Sequence, residues 1–185
     1  MLRDVVAKTR RDGSTAKLAE RLSNLSWIEQ LAGDTEHARR SVEESIVLSR
    51  QDAHYATLAA ALKTLAHIEV ETDGAAAITH YGESLRLARE HGYPRVIASC
   101  LEGGAAIQAA GGDRVRAAGL LGAAAAIRRR SGDVLTPDER AEVDVIELQC
   151  RAALTGEAFT RAWDGGAALH AGAAADWALE IWGAG

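Results

Sequence analysis

Apolar residues recur along this chain at the three- and four-residue spacing of amphipathic helices, interrupted by short polar turns. Leu18, Leu22, Leu25 and Ile28 form one such stripe, expected to face a core. Leu58, Leu62, Leu65 and Ile68 form a second, and Leu120, Leu121 and Ile127 a third. The punctuation between stripes sets the expected helices. A short helix covers 2–11 and ends at Asp12-Gly13. Ser14 or Thr15 caps the next, which runs to about Ala32. A partner spans Thr35 to Arg50, and Asp52 caps a third long helix. Asp73-Gly74 turns the chain into a fourth, ending at His91-Gly92, where glycine suits the left-handed C-terminal position. Pro94 restarts the chain, and that helix ends at Gly111-Gly112. Helices over 114–130, 137–154, 156–169 and 172–182 follow. Thr136-Pro137-Asp138-Glu139 reads as a capping box.

The turns repeat. Aligning Gly33-Asp34, Asp73-Gly74 and Gly112-Asp113 gives spacings of 40 and 39 residues. Leu22, Leu62 and Leu101 then fall in one column, as do Ile28, Ile68 and Ile107. Glu29, Glu69 and Gln108 fall in another, and Ala38, Ile78 and Ala117 in a fourth. A fixed period with apolar and small residues in register indicates stacked hairpins that bury their faces against one another. The small residue after the turn lets the two helices approach closely.

These columns resemble tetratricopeptide repeats, with Ser26, Ala66 and Ala105 as the small residue of the first helix. The repeat is longer than that family's, and most of its aromatic positions are absent. The fold expected is therefore all-α: a right-handed superhelix of stacked helical hairpins with lengthened repeats and a C-terminal helical cap. The chain is expected to form one domain over 1–185. Its parts are a cap helix (1–13), three hairpins (14–132), and a C-terminal hairpin with a cap helix (133–185).

A second resemblance is more specific. Leu120-Leu121-Gly122-Ala123-Ala124, the Leu135-Thr136-Pro137-Asp138-Glu139-Arg140 segment, Gly156-Glu157-Ala158-Phe159 and Ala162-Trp163 look like the C-terminal helical region of large bacterial transcription regulators. That family joins a signal-transducing NTPase module, tetratricopeptide-like repeats and often a LuxR-type helix-turn-helix. The resemblance covers roughly 100–180. It implies a sensor or scaffold arm that binds a protein, a peptide or a small-molecule inducer. It also implies an NTPase or DNA-binding domain of the same polypeptide as a partner. No GxxxxGK[ST] loop is present, so this segment is not itself the NTPase. A stand-alone adaptor that assembles other proteins is the alternative reading, and an enzyme a remote one.

Composition narrows the chemistry. Hydrophobic content is 48% but aromatics are only 4%, which favours closely packed helices over a β-sandwich. A net charge of −5 argues against direct nucleic-acid binding. Abundant Ala, and Arg in excess of Lys, accompany a high-GC bacterial genome. No apolar run reaches membrane-spanning length and no secretory leader precedes the first helix, so a cytoplasmic location is expected. Cys100 and Cys150 read as reduced, buried thiols.

No catalytic motif emerges, and the chain is read as non-enzymatic, without metal or cofactor. The six histidines form no i,i+4 pair, and His80 with Glu83 reads as a solvated i,i+3 contact. Arg39-Arg40 and Arg128-Arg129-Arg130 read as solvated helix faces. In tetratricopeptide-like stacks the first helix of each hairpin lines the concave groove. That places Ser23, Asn24 and Trp27, then Lys63 and His67, then Glu102 in the groove, with Trp27 and His67 as neighbours. Trp163, Trp177 and Trp182 cluster near the end. They form either a cap that closes the stack or an interface to another domain or to a second copy in a homodimer.

Overall fold

The structure, a computed structural model, describes residues 2–183. Met1, Ala184 and Gly185, the ends of the expected domain, lie outside the described residues. The chain is all-α: ten helices and no strand among the described residues. It divides into two compact units, residues 1–87 and 88–185, with the division inside one helix.

The first unit holds α1 (Leu2–Asp12), α2 (Thr15–Leu31), α3 (Thr35–Gln51), α4 (Tyr55–Glu69) and most of α5 (Gly74–His91). Val42 and Ile46 of α3 meet Leu58, Leu62, Leu65 and Ile68 of α4 in one core cluster. Val6 of α1 joins Leu18, Leu22 and Leu25 of α2 in another. Buried serines tie the two helices of each hairpin to one another. The Ser45 hydroxyl donates to the Ala19 carbonyl and that of Ser84 to the Ala59 carbonyl, each at 2.7 Å.

Two carboxylates repeat the same device. Glu29, 5% exposed, accepts from Arg3 of α1 (3.0 Å) and Ser41 of α3 (2.8 Å). Glu69, also 5% exposed, accepts from Arg39 of α3 (3.0 Å) and lies 2.6 Å from His80 Nδ1 of α5. Each buried acid thus faces an arginine from an earlier helix and a polar group from the following one, as a buried charge requires. His80 is therefore not the partner of Glu83, which pairs with Arg50 at 2.8 Å. Nor is Arg39 a merely solvated charge.

The hairpin register also differs from the expected one. Asp34, Asp73 and Asp113 each stand at the helix N-cap, so Asp73 matches the second member of the other turn pairs, not the first. The small residue four positions on is Ala38, Ala77 and Ala117, all fully buried, and Ile78 is displaced from that column. The cause is the hydrogen bond that closes each turn. Gly33 (φ 76°) and Gly112 (φ 89°) take the left-handed conformation, and the following Asp N–H reaches back five residues. The Asp73 N–H reaches back only four, to Glu69, with no left-handed residue between. Ile28, expected inside, is 52% exposed, because Leu25 and Glu29 take the inward positions. The start of α4 moves too. Ala53 is left-handed (φ 54°) and His54 is the N-cap in place of Asp52.

The second unit holds α6 (Pro94–Ala110), α7 (Arg114–Ser131), α8 (Pro137–Ala153), α9 (Gly156–Ala167) and α10 (Ala171–Ile181). Helix α7 is its axis, and α6, α8, α9 and α10 all pack on it. Small residues make this packing close. A Cβ at Gly166 would lie 1.9 Å from the Gly119 carbonyl oxygen, and one at Gly122 would lie 2.2 Å from the Trp163 carbonyl oxygen. Backbone therefore touches backbone where α7 crosses α9. At Thr136 both halves of the capping box form.

Candidate functional site

The residues expected in the groove belong to α2 and α4 of the first unit, except Glu102. Helix α2 packs directly on α4, and this contact juxtaposes the aromatic residues. Trp27 and His67 have ring centroids 5.7 Å apart at 56°, and the Lys63 ammonium stands 4.7 Å from the Trp27 ring centroid. All three side chains are half-buried. A cation over an indole is attracted by the ring's negative face, worth roughly 0.5–1 kcal/mol where water still competes. The Trp27 ring is thereby fixed while part of it stays open. Asn24 is exposed beside it on α2, and so are Ile28 and Leu31, at 52% and 50%. Residues 24, 27, 28 and 31 lie within two turns on one side of the helix, so polar, aromatic and aliphatic surface is continuous there. Ser23 turns inward with Leu22 and Ser26 and is only 9% exposed. It contributes nothing to the open face.

Glu102 lies on α6 in the second unit and is not an open acceptor. Arg128 donates to both of its oxygens at 2.7 Å, to Ser99 at 3.0 Å, and also to Asp133. Burial pushes the Glu102 carboxyl above its ordinary range, although the Arg128 hydrogen bonds pull the other way. For Arg128, burial alone would lower the pKa, but the carboxylates of Glu102 and Asp133 raise it overall. The arginine therefore stays charged while 6% exposed. Arg128 is therefore not the solvated charge expected from the sequence. It follows Leu121 by seven residues and Ala124 by four, which places it on the inward face of α7, and that spacing was the available signal. Around this pair lies a cleft of about 240 Å³, walled by Leu121, Val143 and Trp163 and rimmed by Arg129 and Arg140. The cleft leaves no signal in the sequence, because it is assembled from four helices and the 132–136 turn.

The three C-terminal tryptophans are half-buried and face glycines. A Cβ at Gly104 would lie 2.1 Å from the Trp182 ring, and one at Gly119 would lie 2.7 Å from the Trp177 ring. The backbone of Trp163 lies against Gly122, and its ring stacks on Phe159 at 5.6 Å. Of the paired glycines of α6, Gly104 has a packing role: it seats an indole.

Cys100 and Cys150 are buried thiols, not joined in a disulfide, and burial pushes the Cys150 thiol up, away from thiolate chemistry. Among the described residues no three His, Cys, Asp or Glu side chains converge as metal ligands. Nor is any helix among them long and apolar enough to cross a membrane. Compared with known proteins, the chain matches no family model, no curated protein and no solved structure.

Proposed function

We propose that this chain is a non-catalytic binding module of tetratricopeptide-like hairpins, the sensor arm of a bacterial transcriptional regulator. In this reading the α2–α4 face of the first unit takes an extended peptide or a small aromatic ligand carrying a carboxylate. One observation carries it: an indole held half-open between a lysine and a histidine, next to the exposed aliphatics Ile28 and Leu31. Stacking on Trp27 would supply affinity, and the Lys63 ammonium would supply preference for an acid. The adjacency of α2 and α4, the first helices of successive hairpins, supports a superhelical stack. The buried Glu29 and Glu69 pairings, repeated in register, support it as well.

Peptide selection from a random library against the whole chain tests the binding face. The expected winners share an aromatic residue and an acid, and lose at least ~10-fold in affinity against Trp27→Ala and against Lys63→Gln, each being a typical interface anchor. Winners indifferent to both substitutions would remove this face from consideration. The regulator reading is tested separately by the open reading frame around the segment, which should encode a phosphate loop upstream or a helix-turn-helix downstream.

A further inference from the structure

Helix α8 makes little use of its surface. Only Val143 and Cys150, seven residues apart, are buried. On the opposite side lie Ala141, Val145, Leu148 and Ala152, all exposed, with Val145 at 54% and Leu148 at 65%. Their spacing of four, three and four residues is that of a coiled-coil seam, and a seam of this kind is stable only when covered. The tryptophans face glycines within the unit, whereas this stripe faces water.

We propose that the α8 stripe pairs with the α8 stripe of a second copy of this chain, antiparallel, about a two-fold axis between positions 146 and 147. The pattern on the helix selects this occupant and this register. Centred there, Val145 meets Leu148 of the other copy and Ala141 meets Ala152, so all four apolar positions are covered in both copies. The flanking positions are then self-complementary. In an antiparallel pair Asp144 falls beside Arg151 of the other copy, and this occurs twice by symmetry. Glu142 falls beside Gln149, so no like charges oppose on that flank. Among the described residues of its own chain, Asp144 makes a long 3.8 Å contact to Arg140. Arg151 bonds Glu147 through Nε and Nη2 at 2.8 Å and lies over the Phe159 ring at 3.9 Å. Its remaining N–H groups are sufficient for a second carboxylate. Other exposed flanks of α8 are acidic, Asp138 among them, and a seam of four residues is well below the ~800 Å² per partner of a tight complex. The association is therefore weak, with a dissociation constant on the order of 10–100 µM. It does not depend on the α2–α4 face or on the regulator reading.

Sedimentation equilibrium of the whole chain, from a few micromolar to about 0.5 mM, tests this, the upper end lying well above the dissociation constant expected. The wild type should move from monomer to dimer across that range. Leu148 enters the contact twice, so Leu148→Glu should raise the dissociation constant more than ~100-fold. The helical circular dichroism should be unchanged, because the residue is exposed. Asp144→Arg alone and Arg151→Asp alone should each weaken the dimer, and the double exchange D144R/R151D should restore it. A monomer at all concentrations overturns the proposal, even if the stripe then captures a foreign helix. A dimer that survives Leu148→Glu overturns the interface, and a double exchange that fails to restore pairing overturns the register.

Discussion

Gly165 and Gly166 are adjacent in the last turn of α9, yet alanine should act on them in opposite directions. At Gly165 an added Cβ meets nothing within 4 Å. Alanine there removes conformational freedom from the unfolded chain and should stabilise by about 0.5–1 kcal/mol. At Gly166 the same methyl would sit 1.9 Å from the Gly119 carbonyl oxygen and 3.1 Å from the Ala123 nitrogen, both backbone atoms of α7. An unstrained contact needs ~3.5 Å, so α7 and α9 must part by roughly 1.5 Å. A gap of that size forfeits at least half of the dispersion across the crossing. For some 20–30 atom pairs at ~0.1–0.2 kcal/mol each, that loss is about 1–3 kcal/mol. The helix-propensity gain of ~0.5–1 kcal/mol offsets part of it, leaving Gly166→Ala destabilising by about 1 kcal/mol. The two variants should thus differ by about 2 kcal/mol in urea unfolding followed by far-UV circular dichroism. If Gly166→Ala is as stable as Gly165→Ala, the backbone-to-backbone crossing described for α7 and α9 is wrong.

Four further outcomes follow from the same geometry. Ala53 holds a left-handed conformation without a glycine, so Ala53→Gly should raise stability by about 0.5–1 kcal/mol in thermal unfolding. Gly112→Ala should cost about 1 kcal/mol because of its φ of 89°, whereas Gly74→Ala, at the first position of α5, should cost nothing measurable in the same assay. Thr136→Ala removes the capping box and should cost about 1 kcal/mol, with early fraying of α8 visible by hydrogen exchange. Glu102 holds its proton above the ordinary value of 4.5. In the window between 4.5 and its raised value the folded state binds more protons than the unfolded one, so this group's contribution to stability grows as pH falls. Glu102→Gln lacks that gain. The stability gap between wild type and Glu102→Gln should therefore widen on acidification from neutral pH towards 4.5, and a gap that narrows would contradict the assignment.

Helix positions were legible because glycine, proline and aspartate punctuate the chain: Pro94, Gly92, Gly132 and the Thr136 box all stand where their chemistry requires. What failed was finer. Asp73-Gly74 looks like an inverted Gly-Asp turn, and only the backbone shows that Asp73 is the cap and that its N–H reaches back four residues instead of five. Periodicity placed Ile28 inside, because a hydropathy pattern does not anticipate that Glu29, held by Arg3 and Ser41, is the better-satisfied buried side chain. The adjacency of Trp27 and His67 followed from equivalent repeat columns. Glu102 was misplaced because its partner, Arg128, lies 26 residues away on the next helix, and pairing between helices leaves no local trace.

The repeated acid of the first unit also has a direction. Glu29 relies on Arg3 and Glu69 on Arg39, and in both cases the cation precedes the acid in the chain. As the polypeptide leaves the ribosome, each carboxylate emerges after the guanidinium that will meet it. A hairpin can therefore close onto finished structure without a naked charge waiting inside. A chain permuted to place α1 after α2 would reverse that order: Glu29 would be made before the guanidinium of Arg3 that compensates it.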